Sequence, residues 1–483
     1  MKKKFFITTP IYYVNAKPHI GHAYTTIAAD VLARFHKSQS EDVFFLTGTD
    51  EHGLNIQKKA EDAKKDPQIF ADEISEEFKN YWEKLNIKYD NFIRTTDEKH
   101  KAAVQKALQT LFDKGAIYKG EYEGYYCVAC EQFKNEKDLV DGRCPDHDIV
   151  VEKVKEECYL LKMSGDVQKR LIEKIESDEF KIAPVKYKKE ILSFLEGQEL
   201  RDVSISRKNV SWGITLPFDK EHTTYVWADA FLNYLTGLGW EGNAEKLPPQ
   251  WPADVHLIGK DILRVHATIW PIMLMHLDIP LPKLLFAHGH IRSGGRKMSK
   301  TLGNAISIDE MLEKFGIDGT RYLLMSAGTF GEDVDMTMER MVEKYNADLA
   351  NGLGNLLSRV LKMSEKLAVL PELDIEKKLV NTGNHLYKKD ENFNEWVVDL
   401  KFDMGLRYLW DNFVRKSNLY IEEKKPWELA KVNQPEFEKV MRRLLEDILF
   451  VAYCLKPIMP DTSKKIKEAF EMKKTDGLFP RVK

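Results

Sequence analysis

Phe5-Phe6-Ile7-Thr8-Thr9-Pro10-Ile11-Tyr12-Tyr13-Val14-Asn15-Ala16-Lys17-Pro18 runs directly into His19-Ile20-Gly21-His22, and the folding of this stretch decides the rest. Phe5 to Thr9 is short, apolar and rich in β-formers, which predicts a buried strand. Pro10 to Pro18 is expected to be a turn-rich connection. From His19 onward, Ile20, Ala23, Ile27, Ala28, Val31, Leu32 and Phe35 recur at helical spacing and predict a helix. Val43 to Leu46 reads as a second strand, Thr47 to Gly53 as a loop, and the span from Pro67 to Lys114 as helical. Strand, helix, strand, helix is the opening of an α/β protein with a doubly wound, Rossmann-like parallel sheet.

Beyond that opening the rhythm breaks. Residues 117–224 hold most of the cysteines, many Lys and Glu residues and several short strand-like runs, and read as a connective insertion between two halves of the α/β domain, 1–116 and 225–290. Strand-like runs resume at Thr224 to Val226, Val255 to Ile258 and Lys283 to His288. A mixed segment, 291–340, follows, and 341–483 reads as wholly α-helical, with amphipathic stretches at Val342 to Leu367 and Phe402 to Tyr420.

Composition sets outer limits. The 483 residues, 43% hydrophobic and 31% charged, suit a multidomain globular protein. The chain carries no long uninterrupted apolar run, so no membrane span is expected. Lys2-Lys3-Lys4 mimics the start of a signal peptide, but the apolar run ends at Thr8 and Pro10, so the cytoplasm is the expected location. A net charge of −3 argues against indiscriminate nucleic-acid binding, although it leaves room for a local basic face.

Three segments carry chemistry. His19 and His22 share one face of a helix start, where unpaired N–H groups and the positive dipole end attract phosphate, and Gly21 permits close approach. The plainer alternative is a pair of surface histidines. Lys297-Met298-Ser299-Lys300-Thr301 lies between Gly294-Gly295 and Gly303, as in a mobile loop whose lysines neutralise a leaving pyrophosphate; an ordinary solvated basic loop is the alternative. Cys127 and Cys130, then Cys144 and His147, form two ligand pairs of the spacing that two knuckle turns place around a tetrahedral zinc ion. Four protein ligands close the coordination sphere, so one structural Zn2+ per chain is expected, with no catalytic role.

His-Ile-Gly-His early in an α/β domain and Lys-Met-Ser-Lys late in it together resemble the class I aminoacyl-tRNA synthetases. The resemblance implies that His19, Gly21, His22, Lys297, Met298, Ser299 and Lys300 bind ATP with its Mg2+, and that His19, His22, Lys297 and Lys300 stabilise the transition state of adenylate formation. The second motif departs from the family in ending on Thr301 where serine is usual, which retains the hydroxyl. Thr9 to Asn15, Thr47 to Gly53, Val226 to Ala230 with Tyr234, and Gly259 to Ile262 with His266 resemble the methionyl branch of that family. By that likeness Ile11, Tyr13, Trp227, Ala230, Tyr234, Ile262 and His266 line a pocket for the methionine side chain, and Asp50 holds its ammonium. Aromatic rings suit a polarizable thioether.

Asn351 to Arg359 and Lys424-Lys425-Pro426-Trp427 also resemble the methionyl members, which implies that Asn355, Arg359 and Trp427 read the anticodon of tRNA(Met). The alternative for Trp427 is a packed residue at a helix start behind Pro426. The zinc knuckle has its counterpart in these enzymes, and the insertion is too short for a large editing domain. The dimerising C-terminal domain of many bacterial members has no counterpart here, so a monomer is expected. Two rivals remain: a class I synthetase for another amino acid, and an inactive RNA-binding relative.

Overall fold

The opening strand is longer than its apolar centre predicts. In the computed structural model, which describes residues 2–127, 132–134, 136, 139–145, 148–208, 210–298, 305–367, 390–472 and 477–483, it spans Lys4–Tyr13. It continues through Pro10, the residue expected to end it. Its register against the strand Asp42–Asp50 shifts between Thr8 and Ile11, so Pro10, which has no N–H to donate, falls where the ladder is interrupted. The second strand likewise runs on through Thr47 and Gly48, past the predicted loop start, and brings Asp50 opposite Tyr13. Gly48 permits this: a Cβ there would lie 2.0 Å from the Ile93 carbonyl oxygen of the next strand.

The chain divides into two compact units, one formed by Met1–Pro18, Ser40–Glu83 and Ile87–Ala287, the other by His19–Gln39, Lys84–Asn86 and His288–Lys483. The first is built on a six-stranded sheet in the spatial order Asn91–Arg94, Asp42–Asp50, Lys4–Tyr13, Val255–Gly259, Leu284–His288, Lys181–Ala183. The first strand pairs in parallel with the second and with Val255–Gly259, so the order reverses beside it, at the switch point of a doubly wound sheet. Phe6, Leu46, Ile258 and Leu285 from the strands pack with Trp270 and Met273 from the helix Leu263–His276 in one apolar core. The edge strand Asn91–Arg94 lies inside the span read as helical; only four residues long, it offers no alternation to detect.

Within 117–224, the strands Ile117–Cys127 and Glu152–Leu161 form a long antiparallel ribbon. Lys181–Ala183, also in that span, pairs with Leu284–His288 and belongs to the main sheet.

In the second unit the helix Ile20–Ser38 packs with Ile308–Met325, and a run of helices from Met338 follows. Gly294 and Gly295 make a tight hairpin turn between Ile291–Ser293 and Arg296–Lys297. Both have positive φ, 60° and 73°, as a two-residue type I′ turn requires. Asp30 and Arg321, both fully buried, anchor this unit. The Arg321 Nη2 donates to Asp30 Oδ2 at 2.6 Å and to the Pro457 carbonyl at 3.0 Å. Its Nε reaches the Ile458 carbonyl at 2.7 Å and its Nη1 the Leu85 carbonyl at 3.2 Å, while Arg34 adds a second partner for Asp30 at 2.7 Å. Among the described residues no helix is long and apolar enough to cross a membrane.

Arg321→Met removes the donor to three buried carbonyls and one of the two cations facing Asp30. We expect it to lower stability to denaturant by roughly 3–5 kcal/mol. A loss below about 1 kcal/mol, the scale of a solvated pair, would contradict the buried-anchor reading.

Candidate active site

Several of the predicted pocket residues sit at or just past the carboxyl ends of strands that flank the switch point, where ligands of such sheets bind. Ile11 and Tyr13 close the first strand, and Asp50, buried, ends its neighbour. Ile262 and His266 follow Val255–Gly259 by way of a short turn and the helix Leu263–His276. Trp227 and Ala230 lie on the five-residue helix Val226–Ala230, and Tyr234 on Asn233–Thr236.

Several of these side chains touch directly. The Tyr234 hydroxyl donates to His266 Nε2 at 2.8 Å, and His266 Nδ1 faces the Ile262 carbonyl at 2.9 Å. A carbonyl only accepts, so His266 Nδ1 carries a proton, and in the neutral ring Nε2 is the acceptor for the Tyr234 hydroxyl. Burial pushes its pKa down to about 4, against the upward pull of that carbonyl and of Asp261. The Trp227 ring stands edge-on to His266 with centroids 6.4 Å apart. Its indole N–H is buried with no hydrogen-bond partner among the described residues.

Sequence reasoning did not find the layer behind these residues. His256 stacks at a tilt on Tyr234, 4.2 Å between centroids, and its Nε2 accepts from the Trp270 indole at 3.3 Å. Its Nδ1 therefore carries the proton and donates to Thr8 Oγ1 at 2.7 Å. Burial first, and the nearby His266 second, hold the His256 pKa well below the ordinary imidazole value. Beside Asp50, the fully buried Glu51 receives both guanidinium arms of Arg94 at 2.7 and 2.8 Å and hydroxyl hydrogen bonds from Thr49 at 2.6 Å and Thr96 at 2.5 Å. Both carboxylate oxygens are thus engaged within the protein, which gives Glu51 a loop-fixing part. A sequence shows the acid and the base but not that they meet.

In the second unit, His19 caps the helix Ile20–Ser38. Its Nδ1 accepts from the N–H groups of Gly21 at 3.1 Å and His22 at 3.4 Å, and the two rings stack with centroids 3.6 Å apart. Gly21 makes room for this: a Cβ would lie 3.0 Å from His19 Cε1. Burial, and then the adjacent His19, lower the His22 pKa well below its ordinary value, which keeps that ring neutral. Lys297 ends a short strand and Met298 follows it; Ser299, Lys300 and Thr301 lie outside the described residues.

Two of the predicted anticodon residues lie on one helix, and an ion pair joins that helix to the one preceding the third. Asn355, exposed, begins the helix Asn355–Ser364, and Arg359 stands one turn further on. Arg359 Nη2 pairs with Glu422 Oε1 at 2.6 Å, on the helix Arg415–Lys424 that leads to Trp427. Trp427, half-buried, is the second residue of Pro426–Val432. Part of the nearby basic charge is compensated locally, as Arg415 pairs with Asp411 at 2.5 Å.

Of the predicted zinc ligands, Cys127 ends a strand, and the Cys144 carbonyl accepts from the Asp148 N–H at 2.8 Å. Both thiols are buried in one small cluster with Val151. Cys130 and His147 lie outside the described residues.

The doubly wound parallel sheet and the helix opened by two stacked histidines are those expected of a class I synthetase. In agreement, a family model described as tRNA synthetases class I (M) matches residues 5–158 and 148–361. The chain belongs to the methionine–tRNA ligases. It is 46% identical over 475 residues to a methionine–tRNA ligase of Clostridium acetobutylicum, covering 96% of this chain and 73% of the relative. A methionine–tRNA ligase of Caldanaerobacter subterraneus subsp. tengcongensis is 43% identical over 512 residues, covering 100% and 79%. Mycobacterium tuberculosis methionyl-tRNA synthetase in complex with methionyl-adenylate superposes with a TM-score of 0.89 at 35% identity, covering 99% of this chain and 98% of that one.

The neutral imidazoles have a consequence for stability. Unfolded, His256 and His266 take up protons as the pH falls through 6.5; folded, His266 resists until about 4 and His256 also stays neutral. The unfolded state binds more protons in this window, so stability falls as the pH drops from 6.5 towards 4, by about 1.4 kcal/mol per pH unit for each proton. His266→Gln should flatten the slope of unfolding free energy against pH by roughly one proton. An unchanged slope in the folded variant would show that His266 is not held neutral.

Proposed function

We propose that the chain activates L-methionine with ATP, releasing pyrophosphate, and transfers the methionyl group to the 3′-terminal adenosine of tRNA(Met) through the residues named above. The methionine carboxylate attacks the α-phosphorus of ATP, and the bond to pyrophosphate breaks. A hydroxyl of the terminal adenosine then attacks the adenylate carbonyl and AMP leaves. No covalent protein nucleophile is required; the protein supplies position and charge.

Asp50 receives the substrate ammonium, a charge-assisted contact suited to a buried carboxylate. Ile11, Tyr13, Trp227, Ala230, Tyr234, Ile262 and His266 take the side chain. His19 and His22 contact phosphate oxygens, and Lys297 and Lys300 neutralise the departing pyrophosphate, with Mg2+ accompanying ATP. The observation that carries this reading is the convergence of the predicted methionine residues on the switch point, with the Tyr234–His266–Ile262 chain of hydrogen bonds linking three of them. Asn355, Arg359 and Trp427 read the anticodon; the half-buried indole at a helix start offers a stacking face for an unpaired base.

Exchange of pyrophosphate into ATP, run with each of the twenty amino acids and without tRNA, tests the first step. Methionine alone is expected to drive it. Trp427→Ala should leave that exchange intact while charging of tRNA(Met) falls. Exchange driven best by another amino acid would overturn the substrate assignment, and equal loss of both activities would make Trp427 structural.

We also propose that Cys127, Cys130, Cys144 and His147 hold one structural Zn2+. The burial of Cys127 and Cys144 in one cluster suits thiolates on a soft cation. Elemental analysis should return one zinc per chain, and Cys144→Ser should lose it. A parent protein without zinc would refute the site.

A further inference from the structure

Among the buried side chains outside the pocket that have been given no part in the reaction are His52, His100 and Asp229. Asp229 Oδ2 lies 2.6 Å from His52 Nδ1 and Asp229 Oδ1 lies 2.7 Å from His100 Nε2. His100 Nδ1 continues the chain to Thr236 Oγ1 at 2.7 Å. Burial alone would raise the Asp229 pKa, but the two imidazoles outweigh it and hold the carboxyl below the ordinary aspartate value. It is a buried carboxylate that the protein keeps charged.

The elements it joins give the network its meaning. His52 follows Asp50 by two residues, and its ring stands against Trp212, whose indole donates to the Glu51 carbonyl at 2.6 Å. Asp229 lies between Ala228 and Ala230 on Val226–Ala230, the helix that carries Trp227. Thr236 ends the helix that carries Tyr234. His100 belongs to Glu98–Asp113, a long helix seated in the core through Val104, Leu108 and Leu111. Helices of five and four residues have no stability of their own and depend on tertiary anchors. One carboxylate therefore ties the ammonium-binding loop and the aromatic wall of the methionine pocket to a rigid helix.

We propose that Asp229, acting through His52 and the His100–Thr236 link, is a positioning residue that sets the affinity for methionine by fixing Asp50 against Trp227 and Tyr234. The inference rests on the methionine pocket described under the proposed function. It adds residues that stand behind the pocket and are distinct from those assigned to the substrate. A displacement of about 1 Å in such a constellation is enough to cost up to roughly a hundredfold. The bonds of the network run to the elements that carry the residues assigned to methionine, so its loosening should be felt in KM for methionine more than in KM for ATP.

Asp229→Asn retains the shape and one acceptor oxygen, but it exchanges charge-assisted hydrogen bonds for weaker neutral ones. Thr236→Val cuts the far link, together with a long 3.5 Å bond to the Asn233 carbonyl, and leaves the carboxylate with both imidazoles. Both are compared with the parent by methionine-dependent pyrophosphate exchange, with thermal unfolding as the check on folding. The expected result is a rise in KM for methionine of roughly tenfold or more in Asp229→Asn and a smaller rise in Thr236→Val, with KM for ATP within about twofold of the parent in both. A folded Asp229→Asn with unchanged KM for methionine would overturn the proposal, as would equal rises in both KM values, which mark a general structural role. Should Asp229→Asn not fold, an unchanged KM for methionine in Thr236→Val overturns it and a selective rise supports it. Absence of methionine-dependent exchange in the parent would instead refute the functional reading itself.

Discussion

A proline in a central parallel strand is the constraint on which the first unit turns. The strand Lys4–Tyr13 has neighbours on both sides, and Pro10 has no N–H for either. The ladder yields at that point, with the register shift between Thr8 and Ile11, and the Thr9 hydroxyl meets the Thr47 hydroxyl of the adjacent strand at 2.7 Å. Pairing then resumes, and Tyr13 comes to stand opposite Asp50. Without the shift the last residues of both strands would present other faces, since a slip of one residue reverses every side chain. The positions of Ile11, Tyr13 and Asp50 follow from how the strand accommodates one missing donor.

The second recurring constraint is that buried polar groups must be satisfied. The protein meets it in two ways. His256 and His266 are kept neutral, each with one nitrogen donating and the other accepting. Glu51 is met by a guanidinium and two hydroxyls, and Asp229 by two imidazoles. Neutral rings line the place assigned to an apolar side chain, and the acidic groups stand towards the loop assigned to the ammonium. This separation keeps charge away from a thioether while retaining it for a cation. In the second unit, Arg321 meets the same constraint with one carboxylate and three carbonyls, drawn from segments far apart in the chain.

Local patterns carried much of the fold and little of the supporting network. Val255 to Ile258 and Lys283 to His288 are almost the observed strands, because unbroken apolar runs flanked by turn residues have few other readings. From sequence the first two strands look shorter than they are, because Pro10 and Gly48 resemble breakers when their neighbours are unknown. Gly294-Gly295 is a turn signal, but the positive φ at both positions that makes it a hairpin belongs to the folded backbone. The pocket residues could be named only by resemblance; composition alone leaves Trp227 and Tyr234 as core positions. Asp229 meets His52 and His100 across separations of 177 and 129 residues, which no periodicity reports.

The hydrogen-bond directions in the pocket also bear on selectivity. The Tyr234 proton is committed to His266 Nε2 and the His266 proton to the Ile262 carbonyl, so neither is available to a polar ligand side chain without breaking a buried bond. A ligand carrying an amide or hydroxyl in place of the thioether would lose its hydrogen bonds to water and find those groups occupied, a penalty on the order of 1–3 kcal/mol for each unmet group. Methionine surrenders little on entry, because its sulfur is a weak acceptor and is attracted to aromatic edges. The uncommitted indole N–H of Trp227 is a donor that such a weak acceptor can meet at low cost. If these residues take the side chain as proposed, a polar isostere finds the Tyr234 and His266 protons already in use and only the Trp227 N–H open to it, whereas discrimination against apolar chains of similar length rests on shape, where a methylene is worth only about 1–3 kcal/mol.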